Sequence, residues 1–261
     1  MNKHRKTARL IVAMMLFGVL FSSTAFAASP GVADNTYYNT GCLTNTETVG
    51  VFGLNIGTVV VMTPNTNVFY VGEDAEEMIL QGNVHILAIP GVGSSSIGAA
   101  AFAKHIALIK NQPVAAIVVG LGDGSVYTEG PQGYFIGRPY NVAGMYYPEI
   151  ASQKLVDLFA GGAEITLLVG HSKGNMDIAN ALYKMYLDGN QAWYENAVFK
   201  TFGCGVNVPP GLASFKQYIG SLDTLGYTNT VSWANMTYVY GRFHTTNPYY
   251  AMTYMPIQLY L

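Results

Sequence analysis

Ile165-Thr166-Leu167-Leu168-Val169-Gly170-His171-Ser172-Lys173-Gly174-Asn175-Met176 is the stretch on which the reading of this chain turns. It joins an apolar run, Ile165 to Val169, to a helical pattern that begins near Met176 and reaches Leu187. An apolar run with no polar alternation marks a strand covered on both faces, as parallel sheets require. Between strand and helix stands Gly170-His171-Ser172-Lys173-Gly174, a G-x-S-x-G pattern. The pattern occurs by chance in many chains; its place on a strand-to-helix turn is what gives it meaning. A serine there projects its hydroxyl from the sheet edge, and close packing leaves room only for glycine on either side. The amino end of the following helix aims unpaired N–H groups and a positive dipole end at the same point, which suits a developing anion.

Outward from this turn, apolar strands alternate with helical patterns. Val84 to Ile89, Val114 to Val119, Ala197 to Phe202 and Met236 to Tyr240 read as strands, and Ile97 to Lys110 and Glu149 to Phe159 as helices. Such alternation predicts an α/β fold with a mostly parallel central sheet and helices on both faces. Thr58 to Thr63 and Asn67 to Val71, separated by Pro64-Asn65, predict a hairpin ahead of it. Residues 28 to 57 lack periodicity and read as an irregular arm with short strands at most. Leu212 to Ile219 carries helix-like spacing. Gly122 to Tyr147, rich in Gly, Tyr and Pro, carries no convincing element and is read either as a lid or wall of a site, over 123–147, or as an inert excursion.

The amino terminus and the charge balance narrow the class further. Lys3, Arg5, Lys6 and Arg9 precede an apolar run from Leu10 to Phe21, and Ala25-Phe26-Ala27 offers the small-x-small pattern of a signal-peptidase site. Residues 1–27 are therefore expected to be a removable leader, with 28–261 as one domain and no membrane span once the leader is gone. Four of the 13 Lys and Arg and none of the 15 Asp and Glu lie in the leader, leaving nine basic against fifteen acidic residues, a net charge of −6. An acidic surface without a basic run argues against a nucleic-acid partner. Cys42 and Cys204 are the two cysteines, and in a secreted or periplasmic chain a disulfide between them is open. Gly91-x-Gly93 and Gly120-x-Gly122 each follow a strand, but neither completes a dinucleotide fingerprint.

At Gly170–Gly174 the chain resembles the α/β-hydrolase superfamily, and the Gly-His-Ser-Lys-Gly form is similar to that of secreted lipase-like members in which lysine follows the nucleophile. The resemblance spans roughly residues 84 to 250. It implies a nucleophilic Ser172, the chain order serine, acid, histidine, an acyl-enzyme, and an oxyanion hole formed partly by the amide of Lys173. The second donor in the family comes from the loop after an earlier strand, here Pro90-Gly91-Val92-Gly93. Val92 is taken as that donor, with Gly91 and Gly93 equally placed. The His-Gly usual at that turn is replaced by Pro90-Gly91.

With that chain order, elimination finds the base. Outside the leader the histidines are His85, His105, His171 and His244, and His244 alone lies downstream of Ser172. His85 is expected inside a buried strand, His105 on a helix, and His171 in a packing role on the elbow. His244 sits in Gly241-Arg242-Phe243-His244-Thr245-Thr246-Asn247-Pro248, beyond the last strand, where a loop can return the imidazole over the sheet edge. The acid must accept from its Nδ1–H. Asp177 lies on the elbow helix, and Asp188 and Glu195 belong to the opposite end of the sheet. Asp223 remains, either as that acid or as an ordinary turn residue, and it reaches the active edge only if the stretch from Leu212 to Ile219 packs above it.

These residues make a serine carboxylester hydrolase the leading expectation, on a lipid-like or polyester substrate because low charge and abundant Tyr, Phe and Met imply apolar contact surfaces. An acyltransferase using the same serine and a non-catalytic binding protein on the same scaffold are the alternatives. The chemistry calls for no metal or organic cofactor.

Overall fold

The structure, a computed structural model, describes residues 30–119 and 131–261. The leader, Gly120-x-Gly122 and the first part of the 123–147 loop lie outside the described residues.

The described strands form one sheet. They are β1 (Val59–Met62), β2 (Phe69–Val71), β3 (Ile86–Ile89), β4 (Val114–Ile117), β5 (Leu167–His171), β6 (Val198–Phe202), β7 (Ser214–Gly220) and β8 (Met236–Val239), in the spatial order β2-β1-β4-β3-β5-β6-β7-β8. From β4 to β8 every neighbour is parallel; β1 runs antiparallel to both β4 and β2, so the expected hairpin forms the sheet's first edge. Helices cover both faces, as the alternation requires. On one face, Val60 and Met62, Ile86 and Ala88, and Val114 and Ala116 meet α4 (Ser96–Lys110). On the other, Val59 and Val61, Leu87 and Ile89, and Ala115 and Ile117 meet α3 (Glu73–Leu80), α6 (Ile150–Ala160) and α7 (Lys173–Leu187). Strand residues of odd and even number thus serve separate cores, the period of two that pleating dictates. This is the mostly parallel α/β sheet, covered by helices on both faces, that the sequence led us to expect.

Three segments differ from their sequence reading. Leu212 to Ile219 is no helix: Ser214–Gly220 is β7, in register with β6 through Phe199↔Phe215 and Thr201↔Gln217. Its buried Gln217 accepts from Val206 N at 2.8 Å and donates to Ala234 O at 2.6 Å, so tertiary hydrogen bonds rather than local spacing fix the strand. The arm carries no strand among its described residues. Instead Val32–Tyr37 forms α1 and Asn45–Gly50 forms α2, the latter opened by a reciprocal cap between Thr44 and Glu47. Finally, Pro131–Val142 within the supposed structureless loop is α5, tied down where Arg138 donates to the carbonyls of Thr228 and Thr230 and Asn141 exchanges hydrogen bonds with Asn207.

Parallel pairing places the ends of β3, β5, β6, β7 and β8 along one edge of the sheet. Pro90–Gly93, Ser172, Gly203, Asp223 and His244 all follow those ends, so the topology alone gathers them.

Candidate active site

Ser172 caps the amino end of α7 with φ 53° and ψ −122°, a conformation that non-glycine residues avoid. Such backbone costs about 1–3 kcal/mol and persists only where the surroundings impose it. They do so through the flanking glycines. A Cβ on Gly170 would lie 2.2 Å from Asn175 Oδ1, and one on Gly174 would lie 2.0 Å from the Ile89 carbonyl oxygen. The strand β5, the helix α7 and the end of β3 are therefore packed backbone to backbone around the turn. Ser172 N donates to Phe202 O at 2.9 Å, tying the turn to the adjacent strand. Lys173 opens α7, so its amide is among those that no helical carbonyl satisfies.

His244 and Asp223 come together at the same edge of the sheet. Asp223 lies in the turn after β7 and is buried, its carboxylate 2.8 Å and 3.0 Å from His244 Nδ1. A carboxylate can only accept, so Nδ1 carries the hydrogen and the lone pair of neutral imidazole falls on Nε2. That Nε2 atom is buried and has no hydrogen-bond partner among the described residues. Asp223 also serves the turn it stands in, since its Oδ1 accepts from Gly226 N at 2.6 Å as the N-cap of α8 (Thr224–Asn229). The stretch from Leu212 to Ile219 does not pack above Asp223 as a helix; β7, being a strand, brings Asp223 to the sheet edge that Ser172 also follows. His244 lies over the end of β6: a Cβ on Gly203, whose φ is +85°, would meet His244 Cε1 at 2.8 Å and Nδ1 at 3.0 Å. β6 neighbours β5, whose last residue precedes Ser172.

The Pro90–Gly93 loop is pressed against the serine, because a Cβ on Gly91 would stand 2.8 Å from Ser172 Cβ. Its three amides are not equivalent. Gly91 N donates to the buried Tyr38 hydroxyl at 2.6 Å and is occupied, so any donor this loop offered to an anion at Ser172 would have to be Val92 or Gly93. Nothing in the sequence singled out Tyr38 among 19 tyrosines.

Beneath the elbow lies a buried charge cluster. Lys173 Nζ is 2.7 Å from Asp177 Oδ1 and 3.2 Å from Glu149 Oε1, with all three side chains at or below 2% exposure. Burial works against the Lys173 charge, but the adjoining Asp177 carboxylate overcomes it and holds the ammonium firmly protonated. Burial, reinforced by the Asp177 charge, pushes Glu149 up to about 9, so at neutral pH it keeps a proton. The cluster is then one ammonium against one carboxylate and a neutral acid, and it anchors the first turn of α7.

The remaining sequence candidates fall elsewhere. Asp188 pairs with Lys184 on the surface, and Glu195 is exposed. His85 is not inside a strand: it precedes β3, half-buried, with Nδ1 2.8 Å from Glu164 O. His105 is buried on α4, and burial takes its imidazole down to about 4. His171, the last residue of β5, does more than pack, bonding to Tyr38 and to the His244 backbone. Cys42 and Cys204 are free thiols, Cys42 approaching Ala101 O and Cys204 donating to Ser172 O at 3.1 Å.

No family model and no curated protein matches the chain. Among solved structures it is similar to a crystal structure described as a dienelactone hydrolase-like promiscuous phosphotriesterase from metagenomic libraries, at 15% identity over 67% of this chain and 81% of that one, with a TM-score of 0.37.

Proposed function

We propose that this chain is an exported serine hydrolase of carboxylic esters that works through an acyl-enzyme on Ser172. The observation that carries the reading is the His244 imidazole, held at Nδ1 by buried Asp223 so that its Nε2 lone pair stays unpartnered beside the strained serine turn. In this reading His244 takes the Ser172 proton as Oγ attacks the ester carbonyl. The amide of Lys173 and one amide of the Val92–Gly93 pair stabilise the tetrahedral oxyanion, a contribution of about 10²–10³ in rate for each good donor. Protonated His244 gives its proton to the leaving alcohol, and water activated by the same nitrogen releases the acid.

An apolar ester, lipid-like or polymeric, suits the surface beside His244. Phe243 is 44% exposed on the same loop, and Tyr240, Tyr249 and Met252 are 93%, 85% and 85% exposed around it. Those side chains offer contact area to a hydrophobic substrate. The leader read at residues 1–27 supports export.

The test is a panel of p-nitrophenyl esters of increasing chain length, run on the mature chain and on Ser172→Ala. Turnover that the substitution abolishes supports the reading. A folded mature chain that turns over none of them contradicts it.

A further inference from the structure

The site residues described so far do not explain why the chain buries a tyrosine from its amino-terminal arm and a histidine from its central strand against one another. Tyr38 and His171 are both within 1% of full burial, and neither has a place in the proposed chemistry. Their hydrogen bonds nevertheless run from one side of the site to the other. Gly91 N lies 2.6 Å from Tyr38 Oη, Tyr38 Oη lies 2.9 Å from His171 Nδ1, and His171 Nε2 lies 2.7 Å from the carbonyl oxygen of His244.

Every proton in this chain is fixed by its two ends. The His244 carbonyl can only accept, so His171 carries its hydrogen on Nε2, and Nδ1 is left as an acceptor. Tyr38 must then donate to Nδ1, which leaves its oxygen to accept from the Gly91 amide. The order is consistent with a neutral His171, and burial followed by the nearby His244 pushes that imidazole down to about 3. Gly91 stands against the nucleophile and His244 bears the unpartnered Nε2, so two loops that do not follow one another in sequence are set by one three-bond rod.

The arm repeats this bridging at its neighbouring residues. Asp34 accepts from Ser95 N at 2.8 Å and from Ser95 Oγ at 2.6 Å, holding the loop that leaves Gly93. On the other side, Thr245 Oγ1 donates to Thr36 O at 2.5 Å, Thr246 N to Tyr37 O at 3.0 Å, and Asn247 Nδ2 to Asn35 O at 2.6 Å. The Tyr37 ring also meets His244 edge-on, centroids 5.8 Å apart.

We propose that Tyr38 and His171 are positioning residues, which set the oxyanion loop and the His244 backbone relative to each other from the amino-terminal arm. This rests on the ester-hydrolase reading. It assigns a task to residues that make no contact with substrate: without the rod the elements of the site persist but lose their mutual distance. Misplacement of a reacting group by about 1 Å is enough to lower turnover on the order of 10²-fold.

The experiment compares Tyr38→Phe with Val51→Ala, a substitution in the same buried core but outside the rod, in steady-state hydrolysis of p-nitrophenyl butyrate and in thermal unfolding. The proposal expects Tyr38→Phe, folded at the assay temperature, to lose at least about tenfold in kcat with KM within about threefold, and Val51→Ala to lose stability without loss of kcat. His171 gives an independent arm: His171→Leu should lose about 10²-fold in kcat, and His171→Gln, whose amide can still donate toward the His244 carbonyl, should recover much of it. Full kcat in both Tyr38→Phe and His171→Leu overturns the proposal. So does loss of kcat in Tyr38→Phe and Val51→Ala alike, in step with the folded fraction, since that is stability alone. An inactive wild type removes the hydrolase reading itself, whereas an active wild type with unaffected variants removes only the positioning role.

Discussion

Asp223 and His244 are 21 residues apart in the chain and 2.8 Å apart in space, joined because the turn after β7 carries one and the loop after β8 returns with the other. The bond does two things at once. It fixes the imidazole tautomer, and it comes from a carboxylate already committed to capping α8.

That double commitment separates function from stability in Asp223→Asn. Asparagine still caps the helix, at little cost. Its amide, however, either faces Nδ1–H with a donor or forces the other tautomer, and the loss of a correctly oriented imidazole lowers kcat by about 10⁴-fold where such a triad operates. The expected outcome is a variant that melts within a few degrees of the parent while ester turnover falls by three to four orders of magnitude, about the size just given. Unaltered kcat would remove Asp223 from the site.

Gly203→Ala tests the packing over β6. The added Cβ would sit 2.8 Å from His244 Cε1, at a residue whose φ is +85°. Overpacking of this kind costs about 1–3 kcal/mol and here acts on the imidazole itself. Turnover should fall by at least tenfold on that scale of misplacement, with the folded protein retained, and circular dichroism with steady-state assay separates the two effects.

The buried histidines make the fold acid-labile. In the unfolded chain His105 and His171 take up protons near 6.5, but in the folded protein burial delays them to about 4 and about 3. Between those limits the unfolded state binds more protons, so stability falls as pH is lowered from about 6.5. As pH is lowered from about 6.5 to about 4.5, the melting temperature of His105→Leu should fall less steeply than that of the parent. Parallel curves would contradict the assignment.

Glu149 contributes the opposite slope, from its ordinary 4.5 upward. Its folded value of about 9 against an ordinary 4.5 means that the unfolded state loses this proton first, and stability is lost as pH rises through that range. Glu149→Gln mimics the neutral acid and should melt higher than the parent at about pH 8 and much like it near pH 5. Asp177→Asn instead strips Lys173 of its charged partner, and unpairing a buried charge costs about 3–5 kcal/mol. Equal behaviour of the two variants would refute the division of roles in the cluster.

What the sequence reveals here follows from how local each signal is. The strand-to-helix turn at Ser172 and the parallel strands are legible because a buried strand and a glycine-flanked serine each occupy a few consecutive residues. β7 misleads because Leu212, Phe215, Tyr218 and Ile219 repeat at helical spacing, while the partners that hold Gln217 in a strand, Val206 and Ala234, are distant in sequence. The arm misleads differently: a six-residue helix such as α1 is too short to display a period, and it owes its place to Ser95 and to the loop Thr245–Asn247. Tyr38 and the exclusion of Gly91 as a donor depend on a contact across 53 residues, and no pattern announces it.

The most direct measurement of the central claim is intact-mass analysis of the mature chain after exposure to a fluorophosphonate, followed by peptide mapping. The account predicts one adduct per chain, on Ser172, absent in Ser172→Ala and formed far more slowly in His244→Ala. A folded chain that takes up no label, or takes it up at another residue with Ser172 untouched, would contradict it.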